Sequence, residues 1–229
     1  MLKNVAIFFI FKKKMKFYWI KTSWIVKQIF SHHTWDISNL EKDKTVYLTF
    51  DDGPIPEITP WVLKELKKHQ VHATFFCIGD NIEKNPEVFQ TIISEGHAIG
   101  NHTYNHLNGW KTTTASYLAN ATLCEETIKK YSNYNLKPTL FRPPYGKIKA
   151  AQSRKLRAMG YTIIMWDILS ADFDANVSQE QCLENVLSNI RPGSILVFHD
   201  SSKAFKNLAY ALPKTLIYLK ENNFTCGVL

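Results

Sequence analysis

The sequence predicts an α/β fold in which parallel strands, joined by crossover helices, curl toward a barrel. Two observations carry this. From Thr45 onward, short apolar, β-branched or aromatic runs alternate with helical patterns, the order expected of βα units rather than of a sandwich or a bundle. The runs also end on polar residues: Asp51-Asp52, Asn101-His102, Arg142-Pro143-Pro144-Tyr145, Asp167 and His199-Asp200. In a barrel of parallel strands functional side chains gather at the carboxyl ends, so five such ends imply one shared mouth.

The first strand runs from Thr45 to Phe50 and stops abruptly at two carboxylates, Asp51 and Asp52, with Gly53-Pro54 as the turn. Thr59 as cap and Pro60 in the first turn open a helix that continues through His69. His72 to Ile78 is the second strand, ended by Gly79. Pro86 to Glu95 is a helix stopped by Gly96, and His97 to Gly100 a short strand. Thr114 to Tyr131 is a longer helix, followed by a strand at Thr139 to Phe141. Ala150 to Met159 is helical up to Gly160, and Tyr161 to Trp166 is the next strand. Ser178 to Ile190 (helix), Ser194 to Phe198 (strand), Leu208 to Lys220 (helix) and Phe224 to Leu229 (strand) complete the series. No repeat or low-complexity linker interrupts it, so residues 45–229 read as one domain behind an N-terminal extension of residues 1–44.

At 229 residues and 45% hydrophobic, the chain suffices for one good core. Its formal charge of +8 is unevenly spread: residues 1–35 hold seven lysines (Lys3, Lys12, Lys13, Lys14, Lys16, Lys21, Lys27) and no acid. Removing those seven leaves a single net positive charge, and the body shows no basic stripe with interleaved aromatics, which excludes a nucleic-acid interface there. Cys77, Cys124, Cys182 and Cys226 are far apart and read as free thiols. Val5 to Phe11 is too short for a membrane span, and Lys12-Lys13-Lys14 stands where a small-residue cleavage site would be, so neither a cleavable leader nor a full span is evident. A cytoplasmic or membrane-associated location follows as an expectation, with Met15 an alternative start. Residues 17–30 have two readings: a basic amphipathic helix lying on a membrane, or a segment packing its aromatics onto the main domain.

Two adjacent carboxylates at a strand mouth repel each other and lose solvation, so both stay ionised only beside a cation or a basic side chain. His102 and His106 stand four apart, so a helical turn would face both rings the same way. With one carboxylate they make a two-imidazole, one-oxygen set that suits zinc or a similar divalent ion with open positions. No Glu follows His102, which rules out the H-E-x-x-H protease pattern. In Arg142-Pro143-Pro144-Tyr145-Gly146, consecutive prolines fix the backbone just past a strand while the arginine offers a charged fork. Asp167, Asp172 and His199-Asp200 supply further acids and an imidazole at strand ends.

Together these segments resemble the polysaccharide deacetylases with a NodB homology domain, carbohydrate esterase family four. Thr49 to Pro54 matches T-F-D-D-G-P, His102 to His106 matches H-[ST]-x-x-H, Arg142 to Gly146 matches R-P-P-Y-G, and Ile195 to His199 resembles the last motif. The resemblance spans about residues 45 to 229 and implies a distorted (β/α) barrel with a divalent metal, commonly zinc, held by Asp52, His102 and His106. It further implies Asp51 as general base, Arg142 as its partner, the Tyr145 N–H as an oxyanion donor, and His199 as general acid tuned by Asp172. One motif departs: the fourth commonly ends in Asp-Trp, whereas Phe173 follows Asp172 and Leu169 occupies an earlier acidic position. Asp167 or Asp174 is then an alternative partner for His199. The implied activity is removal of N-acetyl groups from a GlcNAc-containing glycan such as peptidoglycan or chitin-like oligomers. An O-acetyl xylan esterase, another amide hydrolase, or a carbohydrate-binding relative without turnover are the alternatives. The implied partner is an acetylated glycan; the basic N-terminus, apart from the resemblance, adds contact with a membrane surface as an expectation.

Overall fold

In the computed structural model, which describes residues 18–37, 44–132 and 139–229, the chain order is α1 (Trp24–Ile29), β1 (Thr45–Asp51), α2 (Ile58–Lys68), β2 (Thr74–Cys77), α3 (Gly79–Lys84), α4 (Pro86–Ser94), β3 (Ala98–Asn101) and α5 (Thr114–Ser132). It continues with β4 (Thr139–Phe141), α6 (Ala150–Ala158), β5 (Tyr161–Ile163), β6 (Ile168–Leu169), α7 (Gln179–Leu187), β7 (Ile195–His199), α8 (Phe205–Glu221) and β8 (Thr225–Gly227). β1 is central because its side chains are buried on both faces, with Val46, Leu48 and Phe50 wholly inaccessible, the reading of a near-continuous apolar run in a parallel sheet. On one edge β7 pairs with it from Tyr47↔Ile195 to Asp51↔His199, so register alone sets His199 beside Asp51. Its other pairings divide by length: β8 takes Thr45 to Tyr47, and β2 takes Thr49 to Asp51. The sheet runs β5-β4-β3-β2-β1-β7-β6, and every ladder is parallel. The result is the curled, open (β/α) barrel that the alternation implied.

The helices cover this sheet with apolar stripes. Val62, Leu63 and Leu66 of α2 and Leu208, Ala211, Leu212, Leu216 and Leu219 of α8 share one core with Leu48, Phe50, Phe75 and Phe198. Three local expectations are corrected. Thr59 does not cap α2, which starts at Ile58 behind Glu57; its hydroxyl instead donates to Asp200 Oδ2 at 2.6 Å and accepts from Ile55 N–H. The stop at Gly79 hides α3, which begins there. The run Tyr161 to Trp166 is strand only to Ile163, and a further short strand, β6, follows it. All four cysteines are free.

The two ends of the strand path, β5 and β6, are bridged by residues 18–37. Thr22 N–H donates to Asp167 O and Leu169 N–H to Ile20 O, while Thr34 N–H donates to Ile163 O and Met165 N–H to Thr34 O. Lys21 bridges Ile168 in the antiparallel sense and Asp36 bridges Ser194. Asp167 is the anchor: it accepts from Lys21, Lys27 and the Ser194 hydroxyl. Between these ties sits α1, shorter than residues 17–30 and burying none of its own residues. Among the described residues no helix is long and apolar enough to cross a membrane.

Candidate active site

The carboxyl ends of β1, β3, β4 and β7 converge. Asp52 lies just past β1 with φ 88, a left-handed conformation that residues with a Cβ rarely adopt, and Asn81 Nδ2 holds its carbonyl at 2.7 Å. Behind it Gly53 is obligatory, since a Cβ there would meet Asp200 Oδ2 at 2.0 Å. His102 and His106 do not share a helical turn. They sit in a loop after β3 with left-handed Thr103 (φ 62) and His106 (φ 53), and this turn, not helical spacing, brings their rings to 5.1 Å. The Nε2 atoms lie 3.9 Å (His102) and 3.3 Å (His106) from Asp52 Oδ1.

These three residues fit a divalent cation. Their ligand atoms all lie within 4.8 Å of one another, and Asp52 Oδ1 is buried without a hydrogen-bond partner, which is costly unless something positive meets it. His102 Nδ1 lies 2.7 Å from Arg142 O; a carbonyl only accepts, so Nδ1 carries the proton and Nε2 offers its lone pair. Burial lowers the pKa of His102, and burial with the His102 charge lowers His106 to about 4. Both imidazoles are therefore neutral near pH 7, as ligands must be.

Asp51 is left over beside this set. Its Oδ1 accepts from Arg142 Nη1 at 2.8 Å, and its other oxygen has no hydrogen bond among the described residues. Burial would raise its pKa, but the Arg142 guanidinium, with His102 and His199, overcomes burial and holds the carboxyl below its ordinary range. Arg142 is itself wholly buried. It also donates to Thr49 Oγ1 at 2.6 Å and Met165 O at 2.8 Å, with its guanidinium 4.1 Å from the centre of the Phe76 ring. The Pro143-Pro144 turn then sets Tyr145 at φ 61, its N–H unused by any acceptor among the described residues and its ring 4.5 Å from His106.

Opposite, His199 Nδ1 is 2.8 Å from Asp172 Oδ1, and its backbone N–H donates to Asp172 Oδ2 at 2.7 Å. Burial would lower the imidazole's pKa, but Asp172 outweighs it and raises the value to about 9. Asp167 does not contribute here, because its partners are Lys21, Lys27 and Ser194; Asp174 accepts instead from Tyr18 OH at 2.9 Å. Phe173 stands edge-on to His199 at 4.9 Å and is contacted from behind by Tyr18 at 5.5 Å.

Beside this geometry stands the comparison to known proteins: residues 38–164 match the family model described as polysaccharide deacetylase. The chain belongs to the polysaccharide deacetylase family. A peptidoglycan-N-acetylglucosamine deacetylase of Bacillus cereus is 37% identical over 80% of this chain and 64% of its own length. A second from that organism is 35% identical over 83% of this chain and 88% of its own. The chain thus spans just under two thirds of the first relative. Among solved structures, a peptidoglycan N-acetylglucosamine deacetylase in complex with 4-naphthalen-1-yl-N-oxidanyl-benzamide superposes with a TM-score of 0.81 at 33% identity, over 91% of this chain and 95% of that one.

Around the polysaccharide deacetylase motifs stand supporting residues to which the sequence assigned no role. Asp200 holds Gly53 N–H at 3.0 Å and the Thr59 hydroxyl, bracing the turn that carries Asp52; its place beside His199 at a strand end was the available signal. Thr49 links Arg142 to β7 by donating to Leu196 O at 2.6 Å. Asn81 and Tyr18 carried no signal, since each acts across more than 25 residues of chain.

Proposed function

We propose that the protein is a metal-dependent hydrolase that removes the N-acetyl group from N-acetylglucosamine residues of peptidoglycan. Residues 45–229 carry the chemistry. The observation that supports this most directly is the ionised Asp51, held by Arg142 with one oxygen left over, beside the set Asp52, His102 and His106. Zinc suits two imidazoles and one carboxylate with open positions. When bound there, such a cation supplies a Lewis acid and a lowered water pKa. Asp51 takes the proton of the attacking water, and Arg142 keeps that carboxylate ionised and oriented. As the water oxygen bonds to the acetyl carbon, the Tyr145 N–H donates to the developing oxyanion. His199, protonated through Asp172, gives its proton to the sugar nitrogen as the carbon–nitrogen bond breaks, releasing acetate and a free amine. Phe173 and the Tyr145 ring form apolar walls on the two sides of the reacting centre.

Acetate release from peptidoglycan and N-acetylglucosamine oligomers tests this. We expect release that a chelator abolishes and zinc restores, with acetylated xylan turned over more slowly. Release from xylan alone would instead favour an O-acetyl esterase. Glycan binding without acetate release by metal-replete protein would overturn the catalytic reading.

A further inference from the structure

α1 has its amphipathic pattern inside out. At about 100° per residue, Trp24, Gln28, Ile25 and Ile29 fall within an arc of about 140°, whereas Val26 and Lys27 lie on the other side. That other side faces the barrel, where Lys27 pairs with Asp36 and Asp167. The outward arc is exposed: Trp24 by 72%, Ile25 by 53% and Ile29 by 65%. Scattered apolar residues on a surface need no partner, but a contiguous set on a firmly tethered helix does.

The neighbouring surface says what kind of partner. The turn after α1 docks on α6, with His33 Nε2 2.7 Å from Ser153 Oγ and the His33 ring stacked on Phe30. α6 exposes Arg154, Lys155 and Arg157, none of them in an ion pair among the described residues, and no acid occurs between Glu126 and Asp167. In sequence, the residues before Tyr18 include Lys3, Lys12, Lys13, Lys14 and Lys16, again without an acid. Exposed tryptophan and aliphatic side chains rimmed by unpaired cations match the two layers of a membrane surface, an acyl boundary beneath anionic headgroups. We propose that the outward face of α1 and the cationic face of α6 dock on an anionic lipid bilayer.

Orientation supports this. Tyr18 reaches Asp174 beyond the carboxyl end of β6, and Thr22 bonds Asp167 at its amino end, so the segment descends the barrel and α1 begins past its foot. Docking there leaves the mouth, with Asp51 and His199, pointing away from the bilayer and open to a polymer beyond it.

Flotation of the full chain with phosphatidylglycerol-containing vesicles and with pure phosphatidylcholine vesicles tests the proposal. We expect binding to the former alone, weakening as sodium chloride rises from about 50 to 300 mM. Trp24→Ser with Ile29→Ser should weaken it about tenfold, and Arg154→Glu with Arg157→Glu by at least roughly fivefold per residue, both with unchanged thermal unfolding. Wild-type flotation in both double variants would overturn the proposal. So would loss of flotation only on Lys12→Gln, Lys13→Gln and Lys14→Gln, which would confine binding to the residues before α1. Sedimentation velocity provides the remaining arm: a concentration-dependent dimer dissolved by Trp24→Ser and Ile29→Ser, without flotation of the wild type, would make the face a contact between copies.

Discussion

At the mouth of the barrel charged side chains are buried, and at its foot apolar side chains are exposed. Arg142 is inaccessible and Asp51 3% exposed, yet the chain itself answers them, Arg142 by Asp51, Thr49 and backbone carbonyls and, opposite, His199 by Asp172, and leaves Asp52 Oδ1 for a cation. At the foot, Trp24 and Ile29 are left facing solvent while the lysine beside them is satisfied inward. The difference is instructive. A burial violation that the chain compensates internally is machinery held ready for a small reacting centre, whereas one left open calls for a partner outside the chain.

The comparison breaks first at Asp51. If the mouth is machinery, Asp51→Asn lowers kcat by about 10²–10⁴ with bound metal unchanged, measured by acetate release and metal analysis of one sample. An undiminished rate would reduce the mouth to a structural ion cluster. Arg142→Met comes next, because it strands a buried carboxylate. We expect a loss of about 3–5 kcal/mol in urea unfolding and an upward move of the acid limb of the pH–rate profile, since Asp51 loses the partner that holds its pKa down.

A smaller effect falls on His199. Its raised pKa of about 9 means that it is charged at neutral pH and loses its proton only as pH climbs through that value. Activity should therefore decline on the alkaline side near pH 9. Asp172→Asn should draw that decline toward the ordinary histidine range, cutting the rate at pH 8 by roughly thirtyfold through the protonated fraction alone. A full pH profile of kcat reads both.

The smallest effect sharpens the foot. Burial, with the His32 and Arg157 charges, holds His33 at about 4, so the folded protein keeps it neutral while the unfolded chain protonates it near 6.5. Stability is then intact above pH 6.5 and falls between pH 6.5 and 4, by about 1 kcal/mol once solvent screening at this partly open imidazole is discounted. Urea titrations at pH 7 and pH 4.5 should show His33→Asn losing less than the wild type; His97, also held at about 4, keeps part of the dependence in both.

By itself the sequence determined the strand and helix order, the buried β1 with its two carboxylates, and the residues of the mouth, because apolar periodicity and short motifs are properties of chain neighbours. It misplaced what depends on distant partners. His102 and His106 meet through left-handed turns rather than a helical turn. Thr59 spends its hydroxyl on Asp200 instead of capping α2. Asp167, which reads like a candidate partner for His199, belongs to the foot, where Lys21 and Lys27 claim it. The two readings of residues 17–30 were equal in the sequence, since an apolar stripe does not announce which face the barrel will cover. Which face the barrel covers was decided only by the tertiary structure, which gives Lys27 a buried carboxylate to pair with and so turns Trp24 and Ile29 outward.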